Sequence, residues 1–206
     1  MSTVLELTEK AGQAAENGNR FYVKKPFLIN VEMYDAMIEN GILDENDNVE
    51  LLNGEIIEKM PKGTRHTSKT RIITRFFYQI LDDDIVIQVQ DPIRLEDSSE
   101  PEPDIVLARP DEKNYAERHP TPEDILLIVE ISDSTLHLDR FDKGLAYSRN
   151  GINQYLIVNV ANNTIEDYQN PSADGYQSKQ TYKAGEKFSL ISFPEIEIAV
   201  EDFLQS

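Results

Sequence analysis

Eight residues, Ile125-Leu-Leu-Ile-Val-Glu-Ile-Ser132, constrain the fold more than any other stretch of this chain. Five apolar side chains stand in a row and a carboxylate follows. A half-exposed strand would alternate apolar and polar residues, so this run describes a strand covered on both faces. A lone carboxylate buried there is costly. Either the strand meets solvent at Glu130, or a positive group waits for it. Pro103-Asp104-Ile-Val-Leu107 repeats the arrangement, with an acid at the edge of an apolar run. Two carboxylates at the tips of adjacent strands make a site for a hard cation, which prefers oxygen ligands.

The segment after Ser132 supplies a crossover. Asp139 to Asn150 is predicted to be a helix stopped by Gly151, with Phe141, Leu145 and Ala146 toward the core. Asp139, Lys143 and Tyr147, four residues apart, share another face. Gln154 to Val160 is again apolar. Strand, helix and strand in that order predict parallel pairing, because a parallel connection needs a long crossover.

Upstream, Asn53-Gly54 between Val49–Leu52 and Glu55–Glu58 predicts a tight hairpin, since both turn residues need positive φ. Glu50 and Glu55 flank it, with solvent-facing alternation and a site role about equally expected. Asn30 to Gly41 has the start and stop signals of a short helix, its apolar residues being Met33, Met37 and Ile38. Strands are also predicted at Ile85–Gln90 with a continuation at Ile93–Leu95, at Thr164–Tyr168 and at Tyr176–Tyr182. A strand and a last helical turn are predicted between Phe188 and Phe203. Proline breaks at 110, 120 and 122 make the stretch from Arg109 to Asp124 a loop.

Charge matters because of where it is absent. The chain carries a formal net charge of −18, which repels nucleic acid and anionic membranes at long range. Yet from Lys59 to Leu81 there is no acid, and Lys59, Lys62, Arg65, Lys69, Arg71 and Arg75 cluster there. Apolar residues at 72, 73, 76, 77, 80 and 81 trace one helical face from Thr67 onward. His66 stands just ahead of that helix. The basic segment is either a solvated helix face or a docking surface for phosphates; Lys62, Arg65 and Lys69 are the candidate contacts.

There is no cysteine, which excludes disulfides and thiolate metal sites, and three histidines do not make a zinc centre. The longest apolar runs are too short to cross a bilayer. The first ten residues carry an acid where a signal peptide has a base, and no apolar core. The expectation is a cytoplasmic protein with no membrane association. It would have a tail or short helix over residues 1–20 and one domain over 21–206.

The segments ELLNGEII, His66, EPDIVL, IVEISDST and DxxxKxxxYxxxGIxxYLIV, in this order, resemble the Uma2 family, formerly DUF820. That family is grouped with the PD-(D/E)XK nucleases. The resemblance covers about Val49 to Tyr168. It implies an α/β, restriction-endonuclease-like fold with a mixed central sheet flanked by helices. It also implies hydrolysis of phosphodiester bonds, with DNA as the expected substrate, Mg²⁺ or Mn²⁺ as cofactor, and a homodimer. By resemblance Asp104 and Glu130 are metal ligands, and Glu50 is an additional acid. The motif's lysine is missing two residues after Glu130, where Ser132 stands; Lys143 is the implied replacement. His66, Ser132 and Tyr147 are the implied neighbours. The competing reading is an acidic interaction module, an inactive nuclease-like fold or a nucleic-acid mimic, in which Asp104, Glu130 and Lys143 form only a structural ion-pair cluster.

Overall fold

The computed structural model describes residues 26–44 and 46–204. The tail or helix expected over residues 1–20 lies outside the described residues. In chain order the elements are α1 (Val31–Glu39), β1 (Val49–Leu52), β2 (Glu55–Glu58), α2 (Thr64–Ile80), β3 (Val86–Gln88), β4 (Ile105–Ala108) and β5 (Ile125–Ser132). Then come α3 (Leu136–Leu138), a π-helical turn (Asp139–Lys143), α4 (Gly144–Arg149), β6 (Gln154–Asn159), β7 (Thr164–Gln169), β8 (Ser178–Tyr182), β9 (Lys187–Leu190), β10 (Phe193–Ala199) and α5 (Val200–Leu204).

Six strands form one sheet in the order β3-β4-β5-β6-β7-β8. The pair β5–β6 is parallel and its neighbours are antiparallel, so the central sheet is mixed. Every β6 residue is buried, and β5 nearly so, as the apolar runs require. Period-two alternation splits their side chains between two layers. Leu127, Val129 and Ile131 join Ile73 and Phe77 of α2, Phe203 of α5 and the β9–β10 hairpin. Ile128 and Tyr155 face Ala146 and Tyr147 of α4 and Leu52 of β1. The Asn53-Gly54 hairpin forms as predicted, with φ of 53° and 83°.

Local pattern misplaced several residues. Phe141 was expected in the core and is 61% exposed, because the π turn rotates it outward. In α1 the buried residues are Val31 and Tyr34, not Met33 and Ile38. Ile93 to Leu95 is not a strand; the chain turns at Gln90, whose φ is 61°. His66 lies inside α2, which begins three residues before the predicted start.

Candidate active site

The register of β4 against β5 pairs Ile105 with Val129 and Val106 with Ile128. One further step sets Asp104 opposite Glu130, both on the side of the sheet that α4 covers. The two are in contact: the Asp104 amide donates to Glu130 Oε2 at 3.2 Å. The crossover brings the waiting cation. Lys143 Nζ lies 3.0 Å from Glu130 Oε1 and 3.3 Å from Glu50 Oε1. Glu50 comes from the β1–β2 hairpin, which packs on the same layer. Its other oxygen accepts from the Glu102 amide at 2.8 Å. Glu50, Asp104, Glu130 and Lys143 are all buried. Glu55, across the turn, is exposed.

His66, from the first turn of α2, reaches over the end of the sheet, and its Nε2 lies 2.8 Å from Asp104 Oδ2. Tyr147, one turn beyond Lys143, donates its hydroxyl to Glu130 Oε1 at 2.8 Å. Ser132 holds no charge at the motif's lysine position. Its hydroxyl donates to Asp139 Oδ2, which also accepts from Thr135 Oγ1 at 2.6 Å. Ser132 thus ties down the first residue of the π turn whose last residue is Lys143. The Gly144 amide closes that turn onto the Asp139 carbonyl. A Cβ on Gly144 would stand 3.2 Å from the same oxygen, a tight approach that the turn would have to relieve by a few tenths of an ångström. Tyr155 supports the carbonyl from below, donating to it at 3.0 Å.

These environments set the protonation states. Burial alone would raise the Asp104 pKa, but His66, the Ile131 amide and Lys143 outweigh it and hold the carboxyl below its ordinary value. Burial, with three neighbouring acids, pushes Glu130 well up despite Lys143. Burial likewise raises Asp139. Burial would lower Lys143, yet Glu130, Glu50 and Asp139 overcome it and keep the ammonium charged far above its usual range. The three acids around it thus favour the ammonium form of Lys143.

Two residues that sequence reasoning missed belong here. Asp139 is one; its spacing from Lys143 was visible, its burial was not. Gln90 is the other, donating from Nε2 to Asp104 Oδ1 at 3.2 Å. Nothing local marks a glutamine for positive φ.

The basic candidates divide. Lys62 is exposed on the cavity rim, beside Gly63 and the Lys59–Glu102 ion pair. Arg65 is exposed but engaged, with Asp133 at 3.2 Å and the Val160 carbonyl at 3.0 Å. Lys69 is buried against the C-terminal helix, its Nζ donating to the Leu204 carbonyl at 2.6 Å. There it caps a helix end, on a different cavity from the acids.

Among the described residues, no group of three or more acidic or histidine side chains is arranged to hold an ion by itself. The cavity is nonetheless lined by Glu50, Glu102, Asp104, Glu130, Asp133 and Asp139 against Lys59, Lys62, Lys143 and the His66 ring, and at its buried end four of those acids, Glu50, Asp104, Glu130 and Asp139, face Lys143 and His66. That surplus of buried acid is what a divalent cation would balance. Two adjacent carboxylates with oxygens from water and phosphate are a donor set that magnesium accepts, and one poor in the nitrogen and sulfur that zinc prefers.

The sequence matches the family model Uma2, described as "Putative restriction endonuclease", over residues 31–201. The fold is similar to the crystal structure of a DUF820 protein from Anabaena variabilis, with a TM-score of 0.61 and 17% identity over 81% of this chain and 95% of that one. No curated protein matches the sequence. A match across most of the chain, on a fold whose acids meet at the strand tips, settles the family: this chain belongs to Uma2.

Proposed function

We propose that this protein is a divalent-metal-dependent endonuclease that hydrolyses phosphodiester bonds, with DNA as substrate. One observation carries the reading: Glu50, Asp104, Glu130 and Lys143, drawn from three separate parts of the chain, meet in one cavity with acid in excess.

In this reading Asp104 and Glu130 would hold Mg²⁺ or Mn²⁺. Such an ion lowers the pKa of a bound water and offsets charge on the phosphate. The protein's own groups do the positioning. Lys143, locked as an ammonium, faces the charge that develops on the phosphate oxygens, where a fixed cation in a dry site acts strongly. Glu50 and Tyr147 keep that ammonium and Glu130 in place. His66, Gln90 and the Ile131 amide fix the Asp104 carboxylate. Lys62 at the rim meets the backbone of the nucleic acid. A cytoplasmic homodimer, each protomer cutting one strand, completes the proposal.

The acidic-module alternative has one observation in its favour: the Lys143 ammonium already bridges Glu50 and Glu130, as in a purely structural cluster. The test separates them. The parent protein should nick supercoiled plasmid with Mg²⁺ or Mn²⁺ and not with EDTA, and Asp104→Asn should remove the activity. Cutting by Asp104→Asn at the parent rate would sink the proposal, as would no cutting by the parent with either metal. Calorimetric Mn²⁺ titration should show binding that Asp104→Asn and Glu130→Gln both abolish.

A further inference from the structure

Another cavity runs between the outer flank of α2 and the end of the edge strand β3. It is lined by Thr70, Arg71, Thr74, Arg75, Tyr78 and Val89, and its walls are almost wholly apolar. Arg71 and Arg75 stand exposed at its rim, and Tyr78 is 65% exposed.

Three features distinguish this groove from an ordinary helix face. First, its arginines are uncommitted. Every other described arginine donates to an acid or a carbonyl: Arg65, Arg94, Arg118 and Arg140 to carboxylates, Arg109 and Arg149 to backbone oxygens. Arg71 and Arg75 have no such partner among the described residues, on a chain of net charge −18. The acid-free run from Lys59 to Leu81 keeps them so. Second, the Thr74 hydroxyl in the wall is buried without a hydrogen-bond partner among the described residues. Third, both walls lead into the candidate active site. Val89 precedes Gln90, which touches Asp104. Thr70 lies one helical turn from His66 and donates to its carbonyl at 3.0 Å, and His66 also touches Asp104.

We infer that this groove binds a single strand of nucleic acid next to the cleavage position, with phosphates on Arg71 and Arg75 and a base against Tyr78. An apolar floor with an aromatic ring and flanking guanidinium groups is the chemistry that holds unpaired bases and their backbone. A duplex keeps its bases stacked inside and would leave the floor unused. The inference rests on the proposed nuclease reading for its biological sense, but its test does not.

The experiment is fluorescence anisotropy with a labelled oligothymidylate in EDTA, where metal-dependent cutting is silent. The parent should bind. Arg71→Ala/Arg75→Ala should weaken binding by at least about tenfold and reduce the slope of log K against log salt by about 1.4, two phosphate contacts on a single strand. Tyr78→Ala should weaken it by about fivefold or more, and Tyr78→Phe should not. All three side chains are exposed, and matching unfolding midpoints confirm that the variants fold. No binding by the parent, or variants within twofold of it, overturns the inference. So does loss of duplex binding in the arginine variant with none in Tyr78→Ala. Plasmid cutting reads the other proposal separately. If the parent cuts and the arginine variant binds normally, only the groove fails. If binding needs the arginines and nothing is cut, the groove stands and the hydrolytic reading falls.

Discussion

Lys143 shows how one side chain can be both structural and chemical. Its ammonium is buried between Glu50 and Glu130, and removing it leaves two acids without compensation. Breaking a buried pair from one side costs about 3–5 kcal/mol. Lys143→Met should therefore lower the stability to urea by about that amount, measured from the midpoint and slope of unfolding. The neutral double change Lys143→Met/Glu130→Gln should recover part of the loss, because the isolated charge is gone. If the single change is as stable as the parent, the cluster does not carry the energy assigned to it. Lys69 is the converse case. Its place in a basic segment suggested a phosphate contact, yet a carbonyl 135 residues further along the chain claims it. Side-chain chemistry was legible at both lysines. The partner was not, because each partner arrives through folding.

The π turn is the element on which the site depends. Such turns are rare and concentrate at functional positions. This one is closed by Gly144 and tethered through Asp139 to Ser132 and Thr135. Gly144→Ala would bring a Cβ to 3.2 Å from the Asp139 carbonyl, so the turn should yield by a few tenths of an ångström and carry Lys143 with it. Plasmid cutting should fall at least about tenfold, a displacement of a positioned group being worth that much, while the circular dichroism spectrum stays unchanged. Unaltered cutting would show that the turn tolerates a side chain there. The sequence announced a helix here correctly. It could not announce the extra residue in the turn, so Phe141 was placed inward and is exposed. The same turn is pinned to the sheet by Arg140, which pairs with Glu166 on β7. Lys179 and the Tyr168 hydroxyl also meet Glu166. Burial would raise the Glu166 pKa, but these donors bring it down to about 2. Its folded value lies below its unfolded one, so its stabilising contribution is complete above about pH 4.5 and is lost as pH falls toward 2. Acid unfolding followed by tyrosine fluorescence should show this limb, and Glu166→Gln should flatten it. An identical acid profile in the two proteins would contradict the assignment.

At the scale of the molecule, the net charge of −18 and the local acid-free helix act against each other. The field of the whole chain slows the approach of a polyanion, and α2 supplies the surface on which one could land. Among the described residues no helix is long and apolar enough to cross a membrane, in line with the short apolar runs.

Hydrophobic order and turn chemistry determined the strands β5 and β6, their parallel pairing, the Asn-Gly hairpin and the amphipathic α2. These depend on period, length and turn chemistry, which are properties of neighbouring residues. The ordered acids and the displaced lysine also marked the family from sequence. Tertiary structure decided which of those groups face one another. The β4–β5 register places Asp104 against Glu130, the π turn aims Lys143, a glutamine at positive φ secures Asp104, and two arginines are left without a partner among the described residues beside the groove on α2. The physical reason is distance along the chain: contacts between residues far apart in sequence are fixed only when the sheet and its covering layers close.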